Sequence, residues 1–69
     1  MGVYEIISCY GDFVEYIQAN NARQALCMYL MNHEEMNDAM LWKSPSGLWK
    51  LAEYDNEEQY IFARRTFEF

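Results

Sequence analysis

The stretch Tyr4-Glu5-Ile6-Ile7-Ser8-Cys9-Tyr10-Gly11-Asp12-Phe13-Val14-Glu15-Tyr16-Ile17-Gln18-Ala19-Asn20-Asn21-Ala22-Arg23-Gln24-Ala25-Leu26 decides the fold. Two alternating runs flank Gly11-Asp12, the pattern of a β-hairpin with strands over residues 3–10 and 13–19. Gly-Asp between such runs suits a two-residue type II′ turn, the glycine taking the positive φ. That turn predicts Tyr10 opposite Phe13, Ile7 opposite Tyr16, Ile6 opposite Ile17 and Tyr4 opposite Ala19. One face then carries Tyr4, Ile6, Ser8, Tyr10, Phe13, Glu15, Ile17 and Ala19. The other carries Glu5, Ile7, Cys9, Val14, Tyr16 and Gln18. A hairpin with one wet side alternates apolar and polar more cleanly than this, so a cover over the second face is expected.

The hairpin runs straight into a helix. Asn21 is placed to N-cap it, with Gln24 three residues on reaching back as in a capping box. Ala22, Ala25, Leu26, Tyr29 and Leu30 recur at spacings of three and four, an apolar stripe to set against a sheet as far as Asn32 or His33. Cys27, Met28 and Met31 lie off that stripe. Residues 33–38 are polar and acidic, a helix end, a loop or a short second helix. Residues 40–43 read as a third strand, and Ser44-Pro45-Ser46-Gly47 as a turn with Pro second and a left-handed Gly closing it. Residues 48–54 read as a fourth strand, 55–59 as a polar turn, and 60–69 as a fifth. The expected architecture is therefore α+β, in the order ββαβββ, with a predominantly antiparallel sheet and one helix on one face.

A chain of 69 residues fits a single domain, 1–69, and 52% hydrophobic content is too apolar for disorder despite a net charge of -6. Cys9 and Cys27 lack the spacing of a disulfide scaffold or a metal site. No apolar run of membrane-spanning length is present, and Glu5 interrupts the N-terminal apolar run, so a cytoplasmic protein of a bacterial host is expected.

Residues that carry chemistry are sparse. His33, the single histidine, stands beside Glu34 and Glu35 with Asp38 nearby, which reads as the wet end of a helix more readily than as a base or metal ligand. Catalysis would need His33 to converge with Cys27 or Cys9, and each thiol stands among apolar neighbours that favour inert packing. The expectation is no enzyme, no catalytic residue, no metal and no cofactor. Acidic residues gather at Glu34, Glu35 and Asp38, and again at Glu53, Asp55, Glu57 and Glu58. Five basic residues against eleven acidic ones disfavour direct nucleic-acid binding, whereas a negative surface suits a basic groove on another protein. Arg64 and Arg65, adjacent on a strand, face opposite ways.

The twelve aromatic residues (two Trp, six Tyr and four Phe) exceed what one helix over one sheet face can hide. Surplus rings mark interfaces. The expected protein interface comprises Tyr10, Phe13, Trp42, Glu34, Glu35, Glu57 and Glu58.

The runs Ile17-Gln18-Ala19-Asn20-Asn21-Ala22-Arg23-Gln24-Ala25-Leu26 and Gly47-Leu48-Trp49-Lys50-Leu51-Ala52 give the chain a layout that resembles small phage and mobile-element proteins of the anti-CRISPR type. The shared plan, over residues 4–62, is a strand ending in Ala, an Ala-rich capped helix, and a hairpin with G-x-W before the last strand. The resemblance implies a non-catalytic accessory protein that inhibits a host defence or nucleic-acid-handling protein by binding it. The alternative expectation is a self-associating structural domain, a homodimer without an inhibitory role.

Overall fold

A computed structural model of the chain describes residues 2–33, 39–53 and 58–66. Six elements follow in sequence: β1 (Gly2–Ser8), β2 (Phe13–Ala19), α1 (Ala22–Asn32), β3 (Ala39–Lys43), β4 (Trp49–Glu53) and β5 (Tyr60–Arg65). The strands form one sheet in the order β2-β1-β5-β4-β3, with every neighbouring pair antiparallel. The α+β class and the ββαβββ order are those expected. Expected residues 34–38, 54–57 and 67–69 of the loop, turn and last strand lie outside the described residues. Among the described residues no helix is long and apolar enough to cross a membrane.

The helix begins as its cap residues dictate. Asn21 is extended, and its side-chain oxygen accepts from the Gln24 N–H at 2.8 Å. Gln24 Oε1 accepts in turn from the Asn20 N–H at 2.6 Å, one residue further back than an ordinary capping box reaches. The expected stripe is the one that packs. Ala25 and Leu26 are fully buried, with Ala22, Tyr29 and Leu30 packed around them. Opposite stand Tyr4 and Ile6 of β1, Ile17 and Ala19 of β2, Leu51 of β4 and Ala63 of β5. Alanines at 19, 25 and 63 let helix and sheet backbones approach closely. Burying Ile6 and Leu26 completely stabilises the fold by about 1.5–3 kcal/mol for each side chain.

The first hairpin departs from the expected pairing. Its turn is not the two-residue II′ form: the Gly11 N–H donates to the Ser8 carbonyl at 2.9 Å, and the Ser8 N–H to the Asp12 carbonyl at 2.8 Å. Cys9, Tyr10 and Gly11 thus form a three-residue loop with Gly11 at φ 90, the left-handed position that closes such loops. The second hairpin repeats the device, Gly47 (φ 92) donating to the Ser44 carbonyl and Ser44 to the Leu48 carbonyl. In both, the leading serine hydroxyl also accepts a backbone N–H from across the loop, Asp12 to Ser8 Oγ and Leu48 to Ser44 Oγ. The two turns share one pattern, Ser-x-x-Gly.

Beyond the first turn the register shifts once. Ile7 faces Phe13, but Ile6 faces Glu15, so Val14 is an extra residue in β2, a β-bulge. Tyr4 then faces Ile17 and Glu5 faces Tyr16. The pairs expected from a two-residue turn are all displaced. Directly opposed residues share a face, so the bulge moves Phe13 off the helix side and onto the face of Ile7 and Tyr16.

Candidate functional site

Cross-strand registers align a row of side chains over all five strands on the face away from α1: Trp42, Lys50, Phe62, Ile7 and Phe13. Parallel to it, Met40, Ala52 and Tyr60 form a second row, and Arg64, Glu5 and Tyr16 a third. At the usual strand spacing the long row spans about 19 Å. Its valleys lie at Ile7 and Ala52, both buried under their neighbours. Rings make its ridges: Phe13 lies 4.7 Å from Tyr16 and Tyr60 lies 6.3 Å from Phe62, both pairs tilted. Phe13 and Tyr16 are about half exposed, at 54% and 50%. Among the described residues, no helix or strand lies across this face.

The charges on this face are few and mixed. Lys50 Nζ sits 4.2 Å from the Tyr60 ring centroid, and Arg64 Nη2 lies 3.6 Å from Glu5 Oε1. Arg65 pairs opposite Tyr4 on the helix side, as adjacent strand residues must. Trp49 is also on the helix side, between Arg23 at 5.7 Å and Lys43 at 6.0 Å, so the two tryptophans occupy opposite faces.

A second surface lies at the hairpin end of the sheet. Tyr10, at the tip of the β1–β2 turn, is 74% exposed. With Ser8, Cys9, Glu53, Gln59 and Tyr60 it lines an open cleft of about 270 Å³. Glu58, next to Gln59, is exposed as well. The expected interface residues therefore divide: Phe13 and Trp42 share the open sheet face, while Tyr10 belongs with Glu53 and the Glu58 turn. Glu34, Glu35 and Glu57 lie outside the described residues. Lys50, Tyr60, Phe62 and Glu53 are not among the expected interface residues, although Glu53 belongs to the second acidic group of the sequence. The alternation Tyr60-Phe62-Arg64 was the available signal, and it becomes spatial only once β5 is known to lie between β1 and β4.

His33 joins the helix end to the sheet. Its Nε2 lies 3.0 Å from Glu15 Oε1 of β2, and its ring stacks on Tyr29 at 3.9 Å. Cys27 stands six residues earlier, about 9 Å along the helix axis. Cys9 lines the end cleft, and both thiols are free. Among the described residues no group of three or more His, Cys, Asp or Glu could hold a metal ion. What this geometry offers is surface: one broad aromatic face whose described charges are Lys50, Arg64 and Glu5, and one exposed ring that shares a cleft with Glu53.

No family model, curated protein or solved structure matches the chain.

Proposed function

We propose that this is a non-catalytic accessory protein of phage or mobile-element type, which binds and inhibits a nucleic-acid-handling defence protein in the bacterial cytoplasm. The observation that carries the reading is the end of the sheet where bare Tyr10 shares a cleft with Glu53 and Gln59, beside exposed Glu58. An exposed ring beside Glu53, with exposed Glu58 next to the cleft-lining Gln59, suits a basic groove that ordinarily holds nucleic acid: the ring supplies stacking area and the carboxylates take the place of phosphates. A net charge of -6 steers the molecule toward such a groove.

The test is a phage-plating assay in a strain with active CRISPR interference, with recovery of the nuclease complex on the immobilised protein. Expression is expected to restore plating and retain the complex, with retention weakening as salt rises. Tyr10→Ala combined with Glu58→Lys is expected to lower both effects at least tenfold. Unchanged interference, or equal retention by the variant, would overturn the proposal.

A further inference from the structure

The end cleft has an apolar floor and two unlike walls, and together they select a ligand. Ser8, Ile61 and Leu51 lie opposite one another across β1, β5 and β4, on the side of the sheet that α1 packs against. The helix starts beside Trp49, the first residue of β4, where Arg23 lies 5.7 Å from the ring, and ends at His33 beside Glu15 of β2. Crossing on that diagonal, it leaves the corner where β4 ends and β5 begins beyond its flank. Glu53 stands two residues past Leu51 on β4, and so on the same side. From the hairpin tip comes Tyr10, 74% exposed. We infer that this corner is the seat of one arginine side chain of a partner protein, its methylenes over Leu51 and Ile61 and its guanidinium between Glu53 and Tyr10.

Each part of that ligand answers a part of the cleft. Leu51 and Ile61 give the stem an apolar bed, while the charged head stays at the wet rim. The described charges at the rim are Glu53 and, beside Gln59, Glu58, so an anion is rejected and a cation held. Lys50 belongs to the other face of the sheet, where its ammonium sits 4.2 Å from the Tyr60 ring centroid. Arginine is preferred to lysine because a guanidinium is planar and weakly hydrated. It can stack on the Tyr10 ring while donating two parallel N–H bonds to the Glu53 carboxylate. An ammonium is a strongly hydrated point charge and cannot do both. At about 270 Å³ the cleft is smaller than the ~300–1,000 Å³ pockets that enclose whole small molecules, and it suits a single side chain. This assignment deepens the inhibitory reading and rests on it for the identity of the partner, whose basic groove supplies the arginine. The seat itself belongs to this chain.

Amide spectra of the isotope-labelled full chain, titrated with N-acetylarginine amide, its lysine counterpart and its neutral citrulline isostere, test the seat directly. Arginine is expected to give saturable shifts confined to the residues lining the cleft. Lysine is expected to bind at least threefold more weakly, and citrulline at least tenfold. Glu53→Gln is expected to lower arginine affinity at least fivefold, and Tyr10→Leu to bring it down to that of lysine, with the rest of the spectrum unmoved. Both positions are exposed. Should either variant lose its native spectrum, the three ligands on the parent chain still decide. No saturable shift with arginine, equal affinity for lysine or citrulline, or a folded Glu53→Gln that binds as the parent does overturns the inference. Arginine bound by a chain that leaves CRISPR interference intact removes the inhibitory reading and keeps the seat. Restored plating by a chain that ignores arginine removes the seat and keeps the inhibition.

Discussion

Single residues hold the corners of this fold. Asn21 satisfies one of the helix's orphan N–H groups, that of Gln24. Asn21→Ala is expected to cost about 1 kcal/mol, read as a lower urea midpoint at unchanged slope. Gly11 shows a different mechanism. A Cβ built there would meet nothing within 4 Å, so the only obstacle is its φ of +90. Gly11→Ala should therefore cost about 1–2 kcal/mol through backbone conformation alone, leaving the spectrum native. Ala63 tests close packing instead. Buried at the centre of the sheet beneath α1, it should tolerate no growth, and Ala63→Leu is expected to destabilise by about 1–3 kcal/mol. A thermal midpoint at or above that of the parent chain would mean the helix sits further from the sheet than the burial indicates.

At the scale of elements, β2 shows how one inserted residue redistributes a surface. Val14 is the extra member of the bulge, so its deletion should leave Phe13 opposite Ile7 and Glu15 opposite Ile6. The shortened chain is expected to fold cooperatively, with Phe13 still on the open face. Loss of the unfolding transition would show that the bulge has a part in pairing that the register does not reveal. The contact between α1 and β2 through His33 and Glu15 is a weaker link. Both side chains are about one-third exposed, so the pair is expected to couple by less than about 1 kcal/mol in a double-mutant cycle. The apolar stripe of α1, by contrast, is where its attachment resides, and it was visible in the sequence because Ala22, Ala25, Leu26, Tyr29 and Leu30 lie within three turns. The same holds for the second turn, where Pro45 and Gly47 fix the loop within four residues. The first turn was misread because Gly11-Asp12 also fits a shorter loop. The competing signal, Ser8 with Gly11 three residues on, became evident only beside Ser44 and Gly47.

Across the whole molecule, the decisive contact is the one most distant in sequence. β5 inserts between β1 and β4, so the first and last described strands bind one another at the centre of the sheet. A sheet closed in this way cannot lose one hairpin without exposing the core of the other, and unfolding is expected to be two-state. Trp42 and Trp49 report opposite faces, which makes the test simple. Trp42→Phe and Trp49→Phe variants, each followed by its remaining tryptophan, should melt at midpoints coincident with their own circular dichroism. Separate transitions would mean that the two faces are held independently. The insertion also explains why the expected interface divided. Phe13 and Trp42 stand on the two edge strands and meet in one row only because β5 completes the sheet between them, while Tyr10 is drawn to the Glu53–Gln59 end.

The sequence by itself determined every element that can be specified over a few residues. Alternation made the strands, three-and-four spacing made the helix, and Asn21, Gly11 and Gly47 made its start and the turns. Surplus rings announced that some surface would remain apolar. Only the tertiary structure decided the strand order, the bulge at Val14 and the sharing of rings and carboxylates between two surfaces. The physical reason is range: caps and turns are short contacts within one segment. The register of β1 against β5 is instead fixed by packing between residues about sixty positions apart, and one extra residue in β2 changes which face a side chain joins.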